Sequence, residues 1–253
     1  MTAFVAITQV TVKQTMRLRR FIGLGLLSLS AAATFVLASL SPGQTSNNAF
    51  ELFLGITVGT FMNILVPVVT LITATSVMGD ERRDNTMSFL VLRPVSRVTI
   101  ATAKVTAAFL EAFALSGLGA IGLGIVGAVE MSDWAYFVPL LVGTAIATAA
   151  YAAVFVPLGY LAKRATLIGL TYLFIWENCI AGAVSAVAGI SPWRIGVSGM
   201  AGLAPARFVL ELPDFAIGSL TPGTGGAIAK VLVLMALSVG VLTAILLRRD
   251  LAS

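Results

Sequence analysis

Six long apolar stretches, separated by polar segments that carry nearly all of the charge, dominate the 253-residue chain. They span residues 21–40, 52–78, 105–129, 135–161, 165–189 and 231–247. A helix needs roughly 20 apolar residues to cross the ~30 Å hydrocarbon layer of a bilayer, and these stretches reach or approach that length. Of the chain's 16 basic and 11 acidic residues, only Glu111 and Glu177 lie within them. The pattern predicts an all-α membrane protein with six transmembrane helices.

The composition supports a membrane protein and excludes an ordinary soluble domain. Hydrophobic residues make up 58% of the chain and charged residues only 11%, whereas soluble domains carry about 25% charged residues. We expect the first stretch to be a span and not a cleaved signal peptide, because it is too long and a charged region precedes it.

The positions of Lys and Arg predict the orientation. Thirteen of the 16 basic residues flank the stretches on the side that both chain ends share, and only Arg194, Arg207 and Lys230 fall on the other side. Cytoplasmic flanks are the ones enriched in Lys and Arg. We therefore expect both termini in the cytoplasm and a location in a bacterial-type plasma (inner) membrane. The excess of Lys and Arg is then explained by the orientation of the protein in the membrane, and we expect no nucleic-acid binding.

Several kinds of site chemistry are missing from the sequence. The chain has no histidine and a single cysteine, Cys179, which excludes Ser-His triads, His-ligated zinc and an internal disulfide. It also has no phosphate-binding G-x-x-x-x-G-K-[ST] motif. The GLGAIG string at 117–122 lies inside an apolar stretch and follows no predicted strand, so it predicts no dinucleotide site. We expect no catalytic, metal or cofactor residues on this chain.

Residues 1–20 form a separate leading segment before the membrane domain at 21–253. Phe4, Ile7 and either Val10 or Thr11 recur at helical spacing, and basic residues cluster at the far end. This predicts an amphipathic helix in the cytoplasmic interface. The alternative is a loosely ordered basic leader that only sets the topology.

The cytoplasmic loop at 79–104, GDERRDNTMSFLVLRPVSRVTIATAK, contains an apolar run between charged flanks. Asp84 or Asn85 can cap a short helix that Pro94 ends. A short helix with an apolar face that projects from a membrane domain is typical of a docking element. The alternative, a solvated loop that enforces orientation, leaves its apolar residues without a partner.

The external segment at 190–229 is rich in proline and glycine. We expect an ordinary capping loop with re-entrant or interfacial pieces, in which residues 206–212 form one or two amphipathic turns. Trp134 and Trp193 are predicted at the external interface, where indole rings are favoured.

These features resemble the permease subunits of ABC-2 type exporters. The 79–104 loop carries the most specific likeness: Glu81, then Asn85-Thr86, a Leu-rich run, and Arg93-Pro94-Val95-Ser96-Arg97. Asn85 departs from the glycine that is commonest there. Trp176-Glu177 resembles a Trp-Glu pair in one bacterial branch of these permeases.

The resemblance implies a mechanical role and not a catalytic one. In such permeases a separate cytoplasmic ATP-binding subunit docks on the loop, and two permease copies work as a homodimer or heterodimer in the bilayer. ATP and Mg would then be bound by the partner subunit. The residues that match the motif and would couple the two subunits are Glu81, Thr86, Arg93, Pro94 and Arg97.

The intramembrane carboxylates Glu111 and Glu177, the latter beside Asn178, admit two interpretations. Ionisable residues within a span often line a transport path, but we favour a structural role for both carboxylates, such as a hydrogen bond or ion pair with a neighbouring segment. An alternative function for the chain is a proton-coupled secondary carrier that uses Glu177 and Glu111. The docking-like loop and the absence of inverted repeats count against it.

Overall fold

A computed structural model describes residues 3–16, 18–40, 46–83, 95–180, 189–213, 216 and 223–250, and every regular element it describes is a helix. We number the α-helices in chain order: α1 Ala3–Thr15, α2 Leu18–Ser39, α3 Ser46–Leu54, α4 Val66–Arg83, α5 Arg97–Met131, α6 Phe137–Leu161, α7 Ala165–Tyr172, α8 Pro192–Ala201, α9 Ala206–Glu211 and α10 Thr224–Asp250. Two π-helical stretches, Gly55–Leu65 and Leu173–Ile180, continue α3 and α7.

The π-helical stretch Gly55–Leu65 has a local cause in the sequence. Pro67 lies two residues after its end; proline lacks a backbone N–H, and its ring clashes with the carbonyl four residues earlier, at Asn63. A regular α-helix cannot continue through that point, and a wider π-helical turn relieves the conflict. Helix therefore continues from α3 into α4 as one helical stretch over Asn48–Asp80.

Helix α6 lies at the centre of the bundle, packed against α4, α5, α8 and α10. Most of its side chains are buried, including five of its six alanines and Tyr151. Helices α2 and α10 lie at the periphery and expose large apolar side chains such as Leu37 and Leu232. Exposed leucine suits a helix that faces lipid, since the hydrocarbon layer is as apolar as the side chain.

A single glycine sets the spacing between α4 and α6. A Cβ atom at Gly159 would lie 2.6 Å from the carbonyl oxygen of Thr75 and 2.9 Å from its Cα. Both neighbours are backbone atoms of a buried helix, so they cannot move aside as a side-chain tip could. Only glycine allows the two helices to approach this closely.

Five of the six predicted spans correspond to helices of spanning length, with corrected limits, and residues 181–188 of the predicted span 165–189 lie outside the described part of the chain. Five helices are long and apolar enough to cross a membrane: Leu18–Ser39, Asn48–Asp80, Arg97–Met131, Phe137–Leu161 and Thr224–Leu247. In the predicted span 165–189, a shorter apolar helix occupies Ala165–Glu177. The helix of the last predicted span, the shortest at 231–247, starts earlier, at Thr224.

The predicted loop 79–104 is too wide. Helix α4 continues to Arg83, and α5 begins at Arg97, because the Ser96 hydroxyl accepts the Thr99 backbone N–H at 3.1 Å as an N-cap. The predicted short helix between Asp84 or Asn85 and Pro94 lies outside the described residues.

The predicted external segment is not all surface loop. Every residue of α8 is buried, against α6 and α10, so Trp193 is buried and was wrongly predicted at the interface. Two glycines allow the helices to pack this closely. A Cβ at Gly143 would lie 2.6 Å from that of Met200, and one at Gly196 would lie 2.6 Å from that of Ala147. The predicted turns at 206–212 form α9, with Phe208 buried.

We expect Gly159→Ala to destabilise the bundle by about 1–3 kcal/mol, because the new methyl group overlaps the Thr75 backbone. The measurement is the midpoint of thermal unfolding in one detergent, followed by size-exclusion chromatography after heating. Gly240→Ala is the matched control, since nothing lies within 4 Å of its Cβ position. Equal midpoints for the two variants would contradict the close approach of α4 and α6.

Candidate functional site

The predicted coupling residues fall around the connecting segment, which we define as residues 84–94. Arg97 is the first residue of α5, and Glu81 lies in the last turn of α4. Thr86, Arg93 and Pro94 belong to the connecting segment and lie outside the described residues, as does the side chain of Glu81. The connecting segment thus joins the neighbouring ends of α4 and α5.

Beside that end of the bundle, α1 packs along α5 through polar contacts. The Lys104 ammonium donates to the Thr11 hydroxyl at 2.9 Å, and the Thr15 hydroxyl lies between the Thr11 carbonyl and the Glu111 carboxylate. Lys104 is 1% exposed and Glu111 2% exposed. We call Thr11, Thr15, Lys104 and Glu111 the N-helix cluster.

An ion pair extends this polar region to the first two spans. Arg20 at the start of α2 and Asp80 near the end of α4 lie 3.6 Å apart, each about one-third exposed. Arg20 and Lys104 both act electrostatically on Glu111. Four helices, α1, α2, α4 and α5, therefore meet through charged and hydroxyl side chains next to the connecting segment.

The buried face of α1 is its threonine face. Thr8, Thr11 and Thr15 are buried, whereas Val10 is 53% exposed. Of the two predicted alternatives for the inward position, Thr11 is therefore the one that faces the bundle. Phe4 and Ile7 are only half-buried, so the apolar residues do not form the main contact of this helix.

A second buried cluster surrounds Glu177. The Ser191 hydroxyl donates to Glu177 Oε2 at 2.5 Å, and Arg194 attracts the carboxylate electrostatically. Tyr151 lies beside the same carboxylate, about 21 Å along α6 from Phe137 at 1.5 Å per residue. We call Tyr151, Glu177, Ser191 and Arg194 the Glu177 cluster; the side chain of Asn178 is outside the described part of the chain.

The Glu177 cluster fixes the beginning of α8. Ser191 is the N-cap of α8, and its hydroxyl also accepts the Arg194 backbone N–H at 3.3 Å. A carboxylate near a helix N-terminus is favoured by the helix dipole. Glu177 therefore holds a helix start deep within the bundle, far from the Phe137 end of α6.

An aromatic stack borders this cluster. Tyr151 stacks on Phe155 with ring centroids 5.6 Å apart, and Tyr172 stacks on Trp176 at 6.2 Å. The Tyr151 hydroxyl and the Glu177 carboxylate interact with each other. The Tyr151 ring therefore joins the aromatic stack to the Glu177 cluster.

An open cavity of about 430 Å³ lies at the other end of the bundle from the connecting segment. Its walls include Glu51, Gly55, Gly59 and Glu211. Arg207 borders it, with Nε 2.8 Å from Glu211 Oε1 and its guanidinium 4.2 Å from the Phe50 ring centroid. Among the described residues, no group of three His, Cys, Asp or Glu side chains is placed to hold a metal ion.

Sequence reasoning missed two charges of these clusters. Lys104 was placed outside the third span and Arg194 in an external loop, yet both are buried. A signal for Lys104 was present, because it lies seven residues before Glu111 and thus on the same face of the helix. Nothing in the sequence around Arg194 signals burial of α8.

Comparison with protein families matches residues 15–184 to the family described as ABC-2 family transporter protein. The match covers most of the chain and includes both α2–α7 and the connecting segment. The chain belongs to the ABC-2 transporter family. No curated protein matches it. This ABC-2 transporter protein is therefore a multi-pass membrane protein and a transport subunit, as the resemblance in the sequence implied.

We expect Glu177→Leu in this ABC-2 transporter protein to lower the free energy of unfolding by about 1–3 kcal/mol, because Ser191 and Arg194 lose a buried partner. Glu177→Gln keeps an acceptor oxygen for Ser191 and should lose less. Thermal unfolding in detergent measures both.

Phe174→Leu, one turn earlier on an exposed side chain, is the control for helix and lipid effects at this site. If Glu177→Leu unfolds at the same temperature as Phe174→Leu, the carboxylate does not hold α8.

Proposed function

We propose that this protein is the permease subunit of an ATP-driven ABC-2 type exporter, and that it docks a separate ATP-binding subunit through the region 79–104. The observation that carries the proposal is the family match across residues 15–184. The architecture supports it, because α4 ends just before the connecting segment and α5 begins just after it. A force applied to that segment would act directly on two spans.

The proposed topology has six spans with both termini in the cytoplasm of a bacterial-type plasma membrane. The segment 165–189 would be the additional span: its helical part Ala165–Ile180 covers about 24 Å at 1.5 Å per residue. The bias of Lys and Arg toward one side supports the orientation. The connecting segment and α1 then both face the cytoplasm.

The proposed partners are the ATP-binding subunit, which binds ATP and Mg, and a second permease copy. Glu81, Thr86, Arg93, Pro94 and Arg97 are the proposed coupling residues, because they match the family motif and flank or lie in the connecting segment. Positive charge at Arg93 and Arg97 would meet an acidic surface of the partner.

A proton-coupled carrier has no comparable support. Glu111 and Glu177 belong to two separate clusters with different partners: Thr15 for Glu111 and Ser191 for Glu177. We propose a structural role for both carboxylates, each holding a helix that does not itself span the membrane.

Affinity purification of the tagged protein from its native membrane in mild detergent is expected to recover an ATP-binding subunit that contains the G-x-x-x-x-G-K-[ST] motif. Mass spectrometry identifies that subunit and any second permease. Purification of the permease with no such subunit, from membranes in which both are expressed, would contradict the proposed function.

The double substitution Arg93→Glu and Arg97→Glu is expected to reduce ATP hydrolysis by the purified complex at least tenfold, because it reverses the charge at the proposed docking surface. Membrane insertion should be unchanged. Lys230→Glu, an exposed basic residue at the other end of the bundle, is the matched control. Equal hydrolysis rates for the two variants would show that Arg93 and Arg97 do not couple the subunits.

A further inference from the structure

We propose that the N-helix cluster clamps α1 to α5, so that both helices move as one body when the ATP-binding subunit displaces the connecting segment. This inference rests on the proposed function. It makes α1 a working part of the coupling apparatus, and Thr15 and Glu111 positioning residues within it. A passive interfacial anchor would need neither residue.

The contacts of α1 are of the kind that resists separation. Lys104 and Glu111 are almost fully buried, and the hydroxyls of Thr11 and Thr15 are partners that α1 supplies to them. Pulling α1 away would leave a buried ammonium and a buried carboxylate each short of a hydrogen bond. Unpaired buried charges are among the most costly defects in a protein.

The face that α1 turns inward adds specific protein contacts to any contact that its outer face makes with lipid. A helix held mainly by the bilayer buries its apolar residues in lipid and leaves its polar face to water. Here the threonines face α5 and both Val5 and Val10 are exposed. The helix is thus held by specific polar contacts to a span, while its outer face remains available to the membrane surface.

The N-helix cluster also lies on the helix that directly follows the connecting segment, so displacement of that segment would move it. Lys104 follows Arg97, the first residue of α5, by about 10 Å along the helix axis. On the other side of the segment, Asp80 of α4 pairs with Arg20 of α2. Lys104 is therefore about two turns and Glu111 about four turns from Arg97 on one continuous helix, and no flexible joint intervenes between Arg97 and Glu111.

Spin-label distances in the complex with its ATP-binding subunit test the clamp. In a Cys179→Ser background, one sample carries Lys13→Cys and Val98→Cys, which join α1 to α5; a second carries Lys13→Cys and Lys163→Cys, which join α1 to the residues after α6. Each is measured in nanodiscs, without nucleotide and after trapping with ADP and vanadate. We expect the first distance to stay unchanged and the second to shift.

The clamp variant combines Thr15→Val with Glu111→Leu. We expect it to retain the ATP-binding subunit, to broaden the distance from position 13 to position 98, and to lose the nucleotide-dependent shift between positions 13 and 163. Glu111→Gln keeps an oxygen for Thr15 and should behave like the parent. Glu130→Leu, an exposed carboxylate at the far end of α5, is the matched control.

Three outcomes would overturn the proposal. The distance from position 13 to position 98 changes on trapping in the parent, the distance from 13 to 163 does not change, or the clamp variant keeps the parent's shift. The parent measurements stand even if the clamp variant fails to fold. Failure of the proposed function gives a different result: no ATP-binding subunit co-purifies with the permease. That result is obtained before any spin-label distance is measured.

Discussion

The structure depends on the partnering of a few charges inside an apolar bundle. Lys104, Glu111, Glu177 and Arg194 are each at most 2% exposed. Where water is excluded, a charge must have a hydrogen-bonded or oppositely charged neighbour, and the neighbour must come from another element if its own helix cannot supply one. These charges therefore decide which helices meet. Apolar packing decides only how closely they meet.

The two clusters perform the same physical task for two helices that do not themselves cross the bundle. The N-helix cluster attaches α1 to α5, and the Glu177 cluster attaches the start of α8 to the Leu173–Ile180 stretch. In lipid, an apolar side chain gains little free energy by packing against one helix in preference to another, since the surrounding hydrocarbon is also apolar. Polar contacts give α1 and α8 defined positions. Helix α1 lies beside the connecting segment, to which the ATP-binding subunit is proposed to bind.

Much of the architecture was predictable, because a bilayer imposes length and composition on any span. Predicted limits failed where helices extend beyond the apolar layer, as at Arg97, whose helix starts at the Ser96 cap. The burial of α8 was not predictable, since it depends on close contacts of Gly143 and Gly196 with residues distant in sequence. The inward threonine face of α1 was only partly predictable: Thr11 was one of two alternatives, but its hydrogen bond from Lys104 joins residues far apart in sequence. Glu81, Thr86, Arg93, Pro94 and Arg97 remain predictions from the motif.

The central claim is that the connecting segment receives the ATP-binding subunit at the end of the bundle that carries the N-helix cluster. Photocross-linking tests it most directly, with benzoylphenylalanine in place of Phe89 in the connecting segment and, separately, in place of Leu210, which is 83% exposed at the other end. The account predicts a cross-linked product with the ATP-binding subunit from position 89 and none from position 210. A product from position 210 alone, in a complex that remains intact, would contradict it.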